Sequence, residues 1–514
     1  MKYKKDIVVA VITMLFLLIP LTSGYDQPGA LMDEGTLLLY PELALKGKVP
    51  YRDFETFYGP ANVYVLAGVY SVFGINIGAE RSVGLIYRLA VLAAIFCLVR
   101  RWNLILASGC VLLAGYFVMI MELPAYAWLG GIACGLWSLW VGTSGKGTKR
   151  AFFAGLLAAF ALLYRPDLGP AVLLSAVPIL LAMARRERGA YVVGFAAGLS
   201  PLLLLTFIAG PAQILNNLFI YPVIHSNPGR KLPIFSADLW LIYLLFIHIG
   251  AAVFNVVIGL LSVRADRKST LPRVLLSFSL FALGISHQAL QRFDAVHLIF
   301  ACFLSIGFLP VSIYVAIEMA RGLSRSLSRM ALAVVVVAAL VEAASPELVG
   351  FFHISIRRGL AIEKTRSSLL KENGRAFPLD QSNKLRTQKL LSFLQKWAAP
   401  GERLFVGPGD LSRTNYTDTF IYHLMPKLVP ATYFLEMNPL SANRPNSRLA
   451  ADVASADWVV LDRTLDNTNE ANESTRPGSD APGQVVKTQF TLCGTSGGYE
   501  LYRKKSDIAP KQPE

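Results

Sequence analysis

The stretch IVVAVITMLFLLIPLTSGYDQPGALMDEGTLLLYPELALKGKVPYRDFETFYGP, residues 7–60, decides how the whole chain is read. Its first part is apolar from Ile7 to Leu21 and follows a basic start at Lys2, Lys4 and Lys5. A helix needs roughly 20 apolar residues to cross a bilayer core, so this is a first membrane helix. A secretory signal would look similar, but no small-x-small cleavage pattern follows it and further apolar segments do. The helix is therefore expected to be retained, with its start in the cytoplasm. The second part is a polar loop. In it the acidic pair Asp33-Glu34 precedes a short apolar helix from Thr36 to Leu45, a turn at Gly47–Pro50 and a Gly59-Pro60 break.

Beyond Pro60 the apolar pattern repeats, at approximately 61–77, 84–99, 104–121, 124–142, 151–164, 168–184, 190–210, 238–262, 272–287, 296–320 and 330–346. Over all 514 residues 54% are apolar and 16% charged, and the mean hydropathy is +0.48. A soluble chain of this size would not be so apolar. After Pro346 charges become frequent and apolar runs shorten. There 361–376 and 384–398 have the spacing of amphipathic helices, Arg403–Val406, Asp457–Leu461 and Tyr499–Tyr502 that of short strands, and 464–484 that of a mobile loop. The expected fold is mainly α: a polytopic transmembrane bundle of about 11–13 helices with a small exported α/β domain at the C-terminus. The expected division is 1–346, including a first outer loop 25–60, and 347–514.

The formal charge of +15 does not point to nucleic acid, because the basic residues lie between apolar runs, where topology and anionic lipid headgroups account for them. Basic clusters stand at Arg100-Arg101, Lys146–Arg150, Arg185–Arg188, Arg264–Lys268 and Arg321–Arg329. All five fall on one side, the cytoplasmic one, if 61–77 does not cross the membrane. The tail is then outside. So are Asp33, Glu34, Glu80, Arg81, Glu122, Arg165, Asp167, the loop 211–237 and the stretch SHQALQRFDAVHL (286–298). Four of the five cysteines lie in apolar segments and no metal-ligand spacing occurs. The chain has no G-x-x-x-x-G-K-[ST], C-x-x-C pair or H-E-x-x-H, which argues against an ATP-driven pump and a membrane zinc protease.

The order Asp33-Glu34, Gly47, Pro50-Tyr51-Arg52-Asp53-Phe54, Gly59-Pro60, Phe73-Gly74 and Arg81 resembles the glycosyltransferase C superfamily, in particular the family of protein O-mannosyltransferases and the lipid A aminoarabinose transferase. The resemblance spans 7–101 in motif and 1–350 in architecture. It implies an enzyme that moves a sugar from a polyprenyl-phosphate donor to a glycan, lipid or protein acceptor at the outer face, with inversion. It implies Asp33 as catalytic base, with Glu34 as its neighbour or an acceptor-orienting group, and Arg81 as a phosphate contact. Arg165, Asp167, Arg292, Asp294 and His297 are further candidates for donor phosphate or sugar, since ionisable residues at membrane-segment ends are costly unless paired or functional. No cofactor is fixed by it, although some members use a divalent ion. His287 and His297 stand ten residues apart with no third ligand, so the metal assignment is none. The short N-terminus and compact loops point to a prokaryotic plasma membrane. Two other readings compete: a transporter or flippase of lipid-linked sugars, which should show two related halves and mid-segment charges, and a non-catalytic envelope assembly protein. Neither related halves nor mid-segment charges are clear in the sequence.

Overall fold

The computed structural model describes residues 2–121, 123–225, 227–321, 327–344, 346–363, 367–444 and 446–505; Glu122 and Arg325 lie outside them. The chain opens with α1 (Lys2–Thr22), α2 (Asp33–Leu45), α3 (Pro60–Phe73), α4 (Ile77–Val99), α5 (Leu104–Val118), α6 (Ala127–Thr143), α7 (Thr148–Tyr164), α8 (Gly169–Ala182) and α9 (Arg185–Ala209). Short α10 (Pro211–Leu215) and α11 (Asn227–Arg230) flank a π-helical stretch, Asn216–His225. The long helices resume with α12 (Leu239–Ala265) and α13 (Thr270–Gly284), and after short α14 (His287–Gln291) come α15 (Ala295–Arg321), α16 (Leu327–Ala344) and α17 (Pro346–Gly359).

Among the described residues six helices are long and apolar enough to cross a membrane, at 4–26, 77–99, 185–209, 239–265, 270–291 and 295–320, and a seventh if the bent pair 328–342 and 347–359 is one span. Shorter apolar helices, 60–73, 104–118, 127–143 and 166–182, pack among them. Glycine permits the close crossings that replace hydrophobic driving force in a bilayer. A Cβ on Gly194 of α9 would lie 2.0 Å from the Phe152 carbonyl of α7, and one on Gly155 of α7 would lie 2.0 Å from the Tyr191 carbonyl of α9.

Contacts between loops define two ends of the bundle. At one end Arg100 pairs with Asp6 (3.1 Å), Arg101 donates to Trp140, Thr143 and Ser144 at the end of α6, and the Gly147 amide donates to Glu187. Four chain segments carrying basic residues thus meet there. At the opposite end Asn62, in the first turn of α3, donates to the Ala125 carbonyl, and Glu80, in the first turn of α4, accepts from the Ala125 amide. Since α3 begins where α4 begins, it does not run from one end to the other. Its 14 residues would span only about 21 Å.

The C-terminal portion is a small α/β unit. A hairpin of β1 (Ser368–Glu372) and β2 (Arg375–Leu379) precedes α18 (Gln381–Trp397), β3 (Arg403–Pro408), α19 (Phe420–Leu424), β4 (Val429–Pro430), α20 (Leu449–Ala454), β5 (Trp458–Asp462), α21 (Ala481–Gln489), β6 (Phe490–Ser496) and β7 (Tyr499–Lys504). The five-stranded sheet has the order β4-β3-β5-β7-β6, parallel across the first three strands and antiparallel beyond. Two tail expectations change. The described residues of 361–376 are not helical, because Asn373 and Gly374 take φ of 51° and 75° and turn the chain into the β1–β2 hairpin. The segment 464–484 is not featureless: it carries 3₁₀ turns at Arg463–Asn467 and Glu473–Thr475 and the start of α21.

Between bundle and sheet lies α2. The Gly29 amide donates to Pro378 of β2, the Phe420 amide of α19 donates to Leu31, and Arg375 of β2 grips Glu42 of α2 with both terminal nitrogens (2.6 and 3.0 Å). A Cβ on Gly35 would sit 2.5 Å from the Phe420 nitrogen, so only glycine allows this approach.

Candidate functional site

Asp33 and Glu34 share the first turn of α2, where the helix dipole favours carboxylates. One residue of a helix turns the side chain by about 100°, and the two acids therefore face different surroundings. Glu34 is fully buried. It accepts from Arg81 Nε (2.7 Å) and Nη2 (2.8 Å), while Arg81 Nη1 donates to the carbonyls of Gly24, Tyr25 and Gln27 at 3.0, 2.7 and 3.0 Å. This buried fork joins α4 to the chain between α1 and α2. Gly29 makes room for it, since a Cβ there would meet Glu34 Oε2 at 2.2 Å. Arg81 is thus not brought to the open space in front of Asp33, and its guanidinium is directed to protein acceptors instead.

Asp33 is exposed, at the bottom of a protein-walled recess where bundle and sheet meet. Confinement raises its carboxyl above the usual range, and the charges of Arg230, His297 and Arg292 draw it back down. Four separate stretches supply the walls. From the 3₁₀ turn Pro166–Leu168 comes the internal fork of Arg165 on Asp167, Nε to Oδ1 at 2.9 Å and Nη2 to Oδ2 at 2.6 Å, with Gln288 donating to the same carboxylate. The Arg165 guanidinium also lies over the rings of Tyr58 (4.9 Å) and Trp128 (5.2 Å).

Ahead of α15, Arg292 Nε donates to Asp294 (2.8 Å), and Asp294 accepts from both the ring and the amide of His297 at 2.8 and 2.9 Å. Burial pushes Asp294 up, but the His297 hydrogen bond and charge and the Arg292 charge outweigh it and hold the carboxyl at about 2. The two terminal nitrogens of Arg292 are taken by Glu470 of the tail (2.9 and 2.5 Å). Arg230, at the end of α11, accepts from Arg292 through its carbonyl, and its guanidinium makes no ion pair among the described residues.

A second group of acids lies deeper. Glu55, Glu436 and Tyr40 are buried, and both Glu55 oxygens, Glu436 Oε2 and the Tyr40 hydroxyl have no hydrogen-bond partner among the described residues. Tyr58 reaches Glu436 at 3.5 Å, and Asn438 donates to the same oxygen. Burial raises the Glu55 carboxyl to about 8, with Arg444 opposing and Glu436 reinforcing the rise. Unsatisfied buried acceptors are costly, and of this group Glu436 feels the charge of Asp33.

Of the residues expected to be functional, Asp33, Arg165, Asp167, Arg292, Asp294 and His297 stand around this recess, whereas Glu34 and Arg81 stand behind it. Arg230, in the loop 211–237 whose basic turn suits a lipid phosphate, also stands here, together with Glu436, Glu470 and Tyr58, which the sequence did not single out. Arg230 had a signal in its basic turn before α12, but FLEMNP around Glu436 carries none. Among the described residues no three His, Cys, Asp or Glu side chains converge as a metal site.

Membrane-length helices around a recess lined by carboxylates and guanidiniums, capped by an exposed α/β unit, define a polytopic membrane protein with a polar site at one end of its bundle. No protein-family model and no curated protein matches the sequence. In three dimensions the chain is similar to ArnT from Cupriavidus metallidurans bound to undecaprenyl phosphate, at 12% identity and a TM-score of 0.54, over 98% of this chain and 99% of that one. It is also similar to ArnT from the same organism in the apo state, at 12% identity and 0.55, over 100% of both chains. The chain therefore shares its overall fold with these two structures, in keeping with the architecture that the resemblance of the first loop implied.

Proposed function

We propose that this protein is a membrane glycosyltransferase that moves a sugar from a polyprenyl-phosphate donor to a hydroxyl acceptor, with Asp33 as general base. The observation that carries this reading is Asp33 itself: an accessible carboxylate at the floor of a recess that Arg165, Arg230 and Arg292 reach from separate loops. The likeness in fold to a protein bound to undecaprenyl phosphate supports the donor class.

An acceptor hydroxyl is a poor nucleophile until its proton is removed. A positioned carboxylate that takes that proton during attack contributes roughly 10²–10⁴ in rate. As the bond from sugar to phosphate breaks, negative charge grows on the departing polyprenyl phosphate, and guanidiniums in a confined site stabilise it. Arg230 suits this role best, because it makes no ion pair among the described residues and its charge reaches Asp33 and Glu436; Arg165 and Arg292 contribute field from their pairs. Glu34 and Arg81 hold the base in place. Direct attack on the face opposite the phosphate gives inversion.

The basic end of the bundle then faces the cytoplasm, and the recess, with the α/β unit from β1 to β7 as an external domain over it, opens on the outer face of a prokaryotic plasma membrane. Replacing Asp33 with asparagine and following sugar release from a polyprenyl-phosphate donor tests the assignment. The expected outcome is loss of turnover with donor binding retained; undiminished turnover overturns Asp33 as base.

A further inference from the structure

Glu470 lies in a segment of the tail, 463–476, that leaves β5 and runs through two short 3₁₀ turns, yet its carboxylate is held by the membrane portion. Arg292 Nη1 and Nη2 each donate to one of its oxygens, and Tyr416 (2.8 Å) and Asn472 (2.9 Å) complete the ring of donors. Two parallel N–H donors on two oxygens is also how a guanidinium takes a phosphate. An internal carboxylate thus sits in a ready-made anion seat.

An incoming anion would compete with Glu470 for this seat. Arg292 already has a partner in Asp294, two residues along the chain and fixed by His297. Glu470 is therefore a second negative charge on one guanidinium, with Asp33 within range of the same arginine. The Arg292–Glu470 pair is partly open to solvent, with side-chain exposures of 17% and 16%, so exchange of one anion for another needs no prior unfolding. A phosphate next to Arg230 and Arg292 would repel Glu470, Asp294 and Asp33 together. Asp294 is tethered and Asp33 belongs to a packed helix, which leaves Glu470 as the group free to go.

We propose that Glu470 is an internal competitor of the donor phosphate: it fills the Arg292 anion seat until a polyprenyl phosphate displaces it, and its release loosens the 463–476 segment. This rests on the polyprenyl-phosphate reading above. Glu470 is in these terms a positioning residue. It selects for ligands carrying enough negative charge to expel it, and it couples donor binding to movement of the segment that covers this side of the recess.

The test uses the full-length protein in detergent or nanodiscs, with undecaprenyl phosphate and uncharged undecaprenol as probes. Glu470→Gln keeps the side-chain shape and removes the charge. It should bind undecaprenyl phosphate roughly tenfold more tightly than the wild type and undecaprenol equally. Tyr416→Phe, which loosens Glu470 without removing its charge, should shift phosphate-lipid affinity the same way by less. In the wild type, hydrogen exchange in 463–476 should speed up on adding undecaprenyl phosphate and stay unchanged with undecaprenol. If the wild type binds undecaprenyl phosphate and Glu470→Gln binds it no better, Glu470 is only a strut and the competitor role is overturned while the donor assignment stands. Failure of both proteins to bind overturns the donor assignment and the competitor role with it. A strut would also leave exchange in 463–476 unchanged or slower on donor binding.

Discussion

Replacing Arg81 with methionine separates a structural arginine from a ligand-binding one. The guanidinium and the Glu34 carboxylate have side-chain exposures of 2% and 0% and share two hydrogen bonds of 2.7 and 2.8 Å. Removing one partner of such a pair leaves a charge buried without compensation, at about 3–5 kcal/mol. The carbonyls of Gly24, Tyr25 and Gln27 lose a donor at the same time, which adds to the loss. Against a typical stability of about 5–15 kcal/mol, that is a large share. A membrane protein of this length unfolds irreversibly, so the readout is the apparent midpoint for loss of the monodisperse peak after heating in detergent. At 2 °C or less per kcal/mol for a long chain, Arg81→Met should lower it by roughly 3–10 °C. Glu34→Gln alone should also destabilise, and the double variant should lose less than the two singles together, because each single leaves the other charge stranded. The reasoning is refuted if Arg81→Met melts like the wild type while undecaprenyl phosphate binding disappears. Arg81 would then be the phosphate contact that the sequence suggested.

Arg230→Gln should weaken undecaprenyl phosphate binding by about tenfold at an unchanged melting midpoint, since Arg230 holds no ion pair among the described residues; equal affinity would remove it from the site. Glu55, raised to about 8, keeps in the folded state a proton that the unfolded chain releases near 4.5, so its contribution to stability falls as pH rises from about 5 to 8. Glu55→Gln should flatten that part of the midpoint-versus-pH curve, by at most about 1.4 kcal/mol per pH unit, and parallel curves for the two proteins would contradict the assignment. Gly194→Val should cost at least about 1–3 kcal/mol by forcing α7 and α9 apart and reduce the yield of monodisperse protein. Gly189→Ala, with nothing within 4 Å of the added carbon, should not; equal yields for both would show that this helix crossing tolerates a side chain.

Local patterning made several features legible. Apolar runs marked the helices, and the placement of Arg and Lys marked two ends of the bundle, which the Arg100–Asp6 and Gly147–Glu187 contacts join in space. The fork Arg165–Asp167 was readable as a close pair because both partners lie within three residues, while Arg292 and Asp294, equally close in sequence, stood only as separate candidates for phosphate or sugar and are paired in the fold. The helix at 384–398 and the strands at 403–406, 457–461 and 499–502 were found within a few residues. The apolar spacing of 361–376 mimics a helix, whereas Asn373-Gly374, with positive φ at both residues, is the local feature that reverses the chain into the β1–β2 hairpin.

The sequence by itself determined that this is a helical membrane protein with an acidic pair opening a short helix after its first span, since periodicity and hydropathy are written into neighbouring residues. Only the tertiary structure decided which acid of that pair is free. Glu34 is taken by Arg81, 47 residues away, and Asp33 is left facing Arg230, Arg292 and Glu436 from three distant stretches. Two adjacent carboxylates on a helix look alike in sequence. They differ because the packing of α4 and the sheet around α2 gives one an arginine and the other an open recess, and partner choice at that range depends on the whole fold.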